Sequence, residues 1–283
     1  MRLFCLCAFV TFFFNPGFAQ DIKSSTDYSS SRKGQAYFYW GYNRASYNPS
    51  DIHFKGDGYD FTLYDVRAHD LPEKWDAKVY LNPTKLTIPQ FNFRVGYFIS
   101  DKWHLSAGWD HMKYRINEHQ QVKIKGEIDQ SRSEEYAETY NNSYVTLDPG
   151  RFLTVEHTDG FNFVRVGLER RDVLYSSKNN KHHVSFNGGV SVGVMMPWTD
   201  FTLFGERNRN FLHLAGYGFS GTLGVRFELF NYGFLQFSNQ LGYTHMMDII
   251  LEGRSFARGE QKIIFNERSL VAGAFIPINR RGK

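Results

Sequence analysis

The stretch from Gln90 to Asp110 alternates apolar and polar residues in both arms of a hairpin. Phe91, Phe93, Val95, Tyr97 and Ile99 share one face of the first arm; Asn92, Arg94 and Gly96 share the other. After Ser100-Asp101-Lys102, Trp103, Leu105, Ala107 and Trp109 oppose His104, Ser106, Gly108 and Asp110. An apolar face set against glycine and charge, with aromatics toward the ends, fits a strand that crosses a membrane as part of a barrel.

The same reading predicts eight strands along the chain. The first spans about 36–47, with Phe38, Trp40 and Tyr42 against Tyr39, Gly41 and Asn43. The hairpin supplies the second and third. The fourth, about 160–170, sets Val164, Val166 and Leu168 against Arg165, Gly167 and Glu169. The fifth runs over about 183–195 and the sixth over about 217–230, where Phe219, Leu223, Val225, Phe227 and Leu229 oppose Ser220, Thr222, Gly224, Arg226 and Glu228. The seventh opposes Leu235, Phe237, Leu241 and Tyr243 to Gln236, Ser238 and Gln240. The eighth, about 266–276, has a shorter apolar face of Leu270, Ala272, Ala274 and Ile276. The predicted fold class is all-β, an eight-stranded antiparallel up-and-down transmembrane β-barrel with long extracellular loops.

Tight turns join strands 2 to 3 and 6 to 7, and a polar segment at 171–182 joins 4 to 5, whereas 47–88 and 119–158 are long. Short periplasmic turns and long outer loops are the asymmetry of outer-membrane barrels, and an even strand count puts both termini in the periplasm. Both long segments alternate again, at Ile52-His53-Phe54 and at 59–63, then at 122–125 and 152–155. Segments of this length are seldom structureless. Strands 3 and 4 are therefore expected to continue past the membrane as a protruding ribbon, with 131–142 as its flexible tip.

Residues 1–19 read as a secretory signal: Arg2, an apolar run from Leu3 to Phe14, a break at Asn15-Pro16-Gly17, then Gly17-Phe18-Ala19. The rest divides into a disordered leader at 20–34, a barrel at 35–277 and a tail at 278–283. Cys5 and Cys7 fall in the signal, so the barrel must hold without disulfides. Mean hydropathy is −0.45 despite 17% aromatics; this excludes membrane helices but not a barrel, whose apolar residues come at every second position. A net charge of +4, from 33 basic and 29 acidic residues, makes no case for nucleic acid.

On this register Arg94, Asp110, Arg165, Glu169, Arg226 and Glu228 face the lumen. Eight strands leave an interior just wide enough for side chains. A paired, hydrogen-bonded network that plugs the barrel is the expectation; an ion path is the alternative. Asp110-His111, His157-Thr158-Asp159 and His245 with Asp248 sit near the outer ends of their strands and admit an enzymatic reading, with His111 or His157 as general base and Asp110 or Asp159 beside it. The alternation argues against convergence. His111 and His245 point outward with Trp109 and Tyr243, while His157 points inward with Phe163 and Arg165. The outward set His111, Lys113 and Arg115 would then meet phosphates of the outer-leaflet glycolipid. No spacing forces a metal site, and no cofactor is implied.

Taken together, Asn92-Phe93-Arg94-Val95-Gly96-Tyr97-Phe98, the run from Trp103 to Tyr114 and Glu156-His157-Thr158-Asp159-Gly160 make the chain resemble the small outer-membrane β-barrel proteins of the OmpA/OmpX type. These segments are also similar to uncharacterised outer-membrane barrels of Bacteroidetes-type bacteria. The resemblance implies an eight-stranded barrel inserted by the periplasmic chaperone and assembly route, and it carries over no catalytic residue. One departure is that such barrels usually end in an aromatic residue, whereas here Phe275 precedes a run from Ile276 to Lys283.

The functional expectation is a structural or surface-interaction protein of the outer membrane. Its partners would be outer-membrane lipid and lipopolysaccharide, and a protein or glycan met through loops 47–88 and 119–158. Exposed strand edges and aromatics such as Phe54, Tyr59, Tyr136 and Tyr140 would make the contact. The alternatives are an outer-leaflet lipid-modifying hydrolase with the rim His and Asp residues, or a narrow pore. A secreted carrier, with the apolar face turned inward, ranks last.

Overall fold

The computed structural model describes residues 31–82, 84–85, 88–209, 212–251 and 257–278. The signal at 1–19, the leader as far as Ser30 and the tail beyond Ile278 lie outside the described residues. The elements are β1 (Gln35–Tyr47), β2 (Ser50–Gly56), β3 (Tyr59–Val66), β4 (Ala68–His69), α1 (Ala77–Tyr80), β5 (Phe91–Phe98), β6 (Trp103–Ile116) and β7 (Gln121–Ile128). They continue with β8 (Glu138–Thr146), β9 (Leu153–Ser176), β10 (His183–Pro197), β11 (Asp200–Leu203), β12 (Glu206–Arg209), β13 (Gly216–Leu229), β14 (Gly233–Ile250) and β15 (Arg258–Pro277).

Eight of these strands close a ring in the order β1-β5-β6-β9-β10-β13-β14-β15, and β15 returns to β1 in an antiparallel register from Gln35↔Pro277 to Tyr47↔Phe265. Closure leaves no edge in the membrane, where an unpaired backbone group has no water to turn to. The faces follow the alternation. Val166 is 58% exposed and Leu270 61%, whereas Arg94 is 2% exposed and Asp110 and Arg226 are fully buried. The chain is a transmembrane β-barrel with its apolar side outward, and this overturns the carrier reading.

Several strands outlast the membrane. β9 has 24 residues and β15 has 20, beyond what a tilted crossing needs. Above the border the alternation keeps its phase but inverts its chemistry. On β15, Glu267 and Ser269 point in and Leu270 and Ala272 point out; higher up, Ile263 and Phe265 are buried while Lys262 is exposed. Outside lipid the outer face meets water, so the hydrophobic effect drives the apolar residues inward.

The long segments extend this upper part. β2, β3, β7 and β8 add to β15 in that order, while β4 joins β6, and β11 with β12 joins β9. Together they enclose an apolar cluster that includes Ile52, Phe61, Leu63, Met112, Tyr114, Phe152, Phe161, Phe201, Met246 and Ile263. At ~1.5–3 kcal/mol for each large apolar side chain buried, this is the core of a folded dome.

Two expectations need correction here. Phe54 is 1% exposed, Tyr59 and Tyr140 are buried and Tyr136 packs against the same cluster, so none of the four aromatics is on display. The apolar residues of a strand in water go inside, and the alternation alone does not say which side is wet. The second concerns 131–142, expected as a flexible tip. It is the turn and second arm of the β7–β8 hairpin, pinned by Arg132 to Glu206 at 3.0 Å and by Arg151 to Glu135 at 2.6 Å.

Candidate functional site

At the turn end of the lumen, Tyr37, Tyr39, Phe98, Phe234, Val271 and Phe275 form an aromatic floor. The Arg226 guanidinium lies 4.2 Å from the Phe234 ring centre and its Nε donates to Gln236 Oε1 at 2.7 Å. The last residues of the expected leader take part. Arg32 is buried, lies 3.7 Å over the Phe275 ring and donates to Glu228 Oε2 at 2.7 Å, so this residue of the expected leader packs into the barrel. Arg171 holds the same carboxylate with two hydrogen bonds.

A charged layer follows. Asp110 accepts from Arg94 at 3.1 Å, from Asn92 at 2.9 Å, from Gln240 at 3.2 Å and from Arg165. Glu169 accepts from Arg94 at 3.3 Å and from Ser106 at 2.6 Å. Arg165 also donates to Ser191, which meets Ser220. Charges taken from water are held by such mutual pairing, although among the described residues Arg94 Nε and both terminal nitrogens of Arg226 are buried without a hydrogen-bond partner. The residues of the expected network thus fall into two groups, Arg94, Asp110, Arg165 and Glu169 in the middle and Glu228 with Arg226 near the floor. Sequence reasoning missed Arg32 and Arg171. Arg171 was legible, because it continues the inward parity of Arg165, Glu169 and the residues between.

Above the charges sit Phe163 and Phe265 and then the dome core, all buried. Aromatic floor, ionic layer and apolar roof follow one another along the lumen. This order of layers is the one expected of a plug.

The rim residues are held apart. His111 is buried, stacked on Phe91 with ring centres 5.0 Å apart, and its Nδ1 lies 2.7 Å from Asn162 Oδ1. Lys113 is 3.9 Å from Glu73, and Arg115 pairs with Glu118 and Glu156. Of the expected outward cationic set, His111 is thus buried against Asn162, while Lys113 and the partly exposed Arg115 are engaged by glutamates, which weakens the case for their meeting lipid phosphates. His157 is buried in the dome with Nδ1 3.0 Å from Thr199 Oγ1, and burial pulls it down to about 3, so it is neutral. Asp159 faces outward and pairs with Arg209. Asp110 belongs to the lumen layer. His111, His157, Asp110 and Asp159 each have a separate partner, and nothing joins them into an acid–base pair.

The outward face of the dome carries a line of polar contacts across four strands. His53 Nε2 is 2.7 Å from Asp60 Oδ1, His53 stands opposite Glu260 in register, and His245 Nε2 is 2.7 Å from Glu260 Oε1. Lys55 holds Asp60 below the usual carboxylate range. Among the described residues, no group of three His, Cys, Asp or Glu is placed to hold a metal ion.

Among the described residues the dome has two strand edges with no further partner: β12 pairs only with β11, and β8 only with β7. β8 carries a bulge opposite Ile124 and Lys125, where Asn142 has a φ of 61°. Tyr144 is 66% exposed on this strand, its ring 6.0 Å from Lys123 Nζ.

No family model and no curated protein sequence matches the chain. Among solved structures it is similar to Ail, the attachment invasion locus protein of Yersinia pestis, solved with the heparin analogue sucrose octasulfate. The identity is 13%, over 86% of this chain and 99% of that one, with a TM-score of 0.36. It is also similar to the outer membrane protein OprG of Pseudomonas aeruginosa, at 12% identity over 87% and 98% of the two chains, with a TM-score of 0.37. A third is the outer membrane protease OmpT of Escherichia coli, at 8% identity over 89% and 99%, with a TM-score of 0.34.

Proposed function

We propose that this chain is an outer-membrane protein that holds a rigid β-dome outside the cell as a platform for binding a partner protein. The observation that supports the reading is the pairing of a lumen lined by a buried aromatic floor with an apolar core beyond the barrel. A barrel layered in this way serves as an anchor, and a dome with its own core presents a fixed surface. In this arrangement the short turns and both barrel termini face the periplasm, and lipid and lipopolysaccharide surround the apolar band.

The contact element is the free edge of β8. Its unpaired backbone groups would take an extended segment of the partner as an added strand, with Tyr144 as a side-chain contact. The bulge at Asn142 shortens the edge and guards it against pairing with another copy.

The test uses cells that display the full chain, scored for adhesion to a panel of immobilised extracellular proteins. Adhesion is expected for the wild type and lost on combining Asn141→Pro with Tyr144→Asp, while the folded band on an unboiled gel persists. Adhesion no greater than that of control cells, or unchanged in the variant, would overturn the role.

A further inference from the structure

We propose that Arg44 and Arg268 form a seat for the phosphate of a membrane glycolipid, next to a lipid-immersed foot made by Trp75 and Leu81. The two arginines are direct partners in the β1–β15 register, and both are exposed on the outer face. Directly opposed residues of an antiparallel pair bring their Cβ atoms to about 4.5–5.5 Å, and like charges placed there repel. An anion seated between the two would turn that repulsion into attraction.

No carboxylate of the described residues is in ion-pair contact with either guanidinium; Asp70 acts on Arg44 only from farther away. Arg44 donates to the Asn43 carbonyl at 2.8 Å. The Asp70 carboxylate itself turns to the Ala45 amide at 3.2 Å. Asn239, the β14 neighbour of Arg268, is engaged with Asn266 at 3.0 and 3.1 Å. Elsewhere on this rim, Lys113 and Arg115 already have glutamate partners.

The height of the pair identifies the anion. Outward positions just below it are Tyr42, Leu270 and Phe237; just above it polar Ser46 and Asn266 stand beside Leu241, with Ile264 one pleat higher. The pair therefore lies where hydrocarbon gives way to headgroups, with stems long enough to reach up. A phosphate offers the planar, charged acceptor set that arginine forks match best.

Tyr42, two residues before Arg44, connects the seat to the foot. Its hydroxyl donates to the Tyr80 carbonyl and the two rings are 5.0 Å apart. This contact fixes α1 against the barrel wall, with Asp76 capping it by accepting from the Lys78 amide at 2.8 Å. Trp75 and Leu81 flank α1 at 72% and 73% exposure, with Lys74 and Lys78 exposed beside them. An exposed tryptophan and leucine among lysines, held level with the edge of the hydrocarbon, form an interfacial anchor.

The inference depends on the membrane placement of the barrel and is independent of the adhesive role of β8. The full chain is refolded with bis-phosphorylated lipid A or with the same lipid after phosphatase treatment, and the lipid retained through detergent exchange is weighed. The wild type is expected to keep the phosphorylated lipid about tenfold better, the yield of one charge-assisted contact. The Arg44→Gln, Arg268→Gln double variant should lose that preference while still giving a folded band. Trp75→Ala with Leu81→Ala should weaken retention of both lipids alike. In a detergent free of phosphate the double variant should melt no lower than the wild type, because repulsion has been removed. Equal retention of the two lipids, or full retention by the double variant, would overturn the seat. Displacement of the lipid by millimolar inorganic phosphate alone would assign the seat to free phosphate and overturn the glycolipid.

Discussion

Glu228 receives Arg171 through two parallel hydrogen bonds, Nε to Oε1 at 2.5 Å and the terminal nitrogen to Oε2 at 2.8 Å. Arg32 adds a third contact to the same carboxylate. Losing one side of a buried ion pair costs about 3–5 kcal/mol. Glu228→Gln is expected to lower the temperature at which the folded gel band disappears. Arg32→Gln should lower it less, because Arg171 still neutralises the carboxylate. A Glu228→Gln protein that melts with the wild type would remove this cluster from the account of stability.

The layered lumen predicts an electrically silent protein. In planar bilayers the wild type should give no single-channel steps. Asp110→Ala should be equally silent, because Phe234 and Phe275 below it and Phe163 and Phe265 above it remain in place. Regular conductance steps from the wild type would restore the pore.

The change of chemistry with height can be tested by one substitution on each side of the border. Val166 faces lipid, and arginine there is expected to cost about 2–4 kcal/mol, as at the midplane of other barrels. Thr62 lies on the wet face of β3, where arginine should change stability by less than about 0.5 kcal/mol. Folding yield into vesicles measures both, and the opposite ranking would place the bilayer elsewhere on the molecule.

His157 makes the dome acid-sensitive. Buried, it is held neutral with a pKa of about 3, while in the unfolded chain it titrates near its ordinary 6.5. Between these values the unfolded state binds a proton that the folded state does not, so stability falls as pH falls. From pH 7 to pH 5 the loss is about 2 kcal/mol. Denaturant titrations of the wild type and His157→Gln at the two pH values should show a smaller acid loss in the variant. Equal losses would assign the sensitivity to other groups.

The barrel was legible in the sequence because lipid and lumen impose opposite demands on successive residues. The hairpin at 90–110 and the strand around Phe227 show both demands within a few positions. The upper half of β15 was not legible. A search for apolar-out alternation stopped near Asn266, whereas the strand begins at Arg258, because Ile263 and Phe265 turn inward once water replaces lipid. The same inversion hid the fate of Phe54 and Tyr59. Parity tells which residues share a face; only the surroundings tell which face is dry. His111 eluded the reading for a different reason. Its outward direction is right by parity, but ring stacking on Phe91 and the contact with Asn162 bury it.

The inversion along β15 also gives the molecule a waterline. A shift of one pleat outward would lift Leu270 out of oil, and a shift inward would drown Lys262, so either displacement is resisted. The dome thus rides at a constant freeboard above the bilayer. In the proposed role, a partner would have to come down to that level.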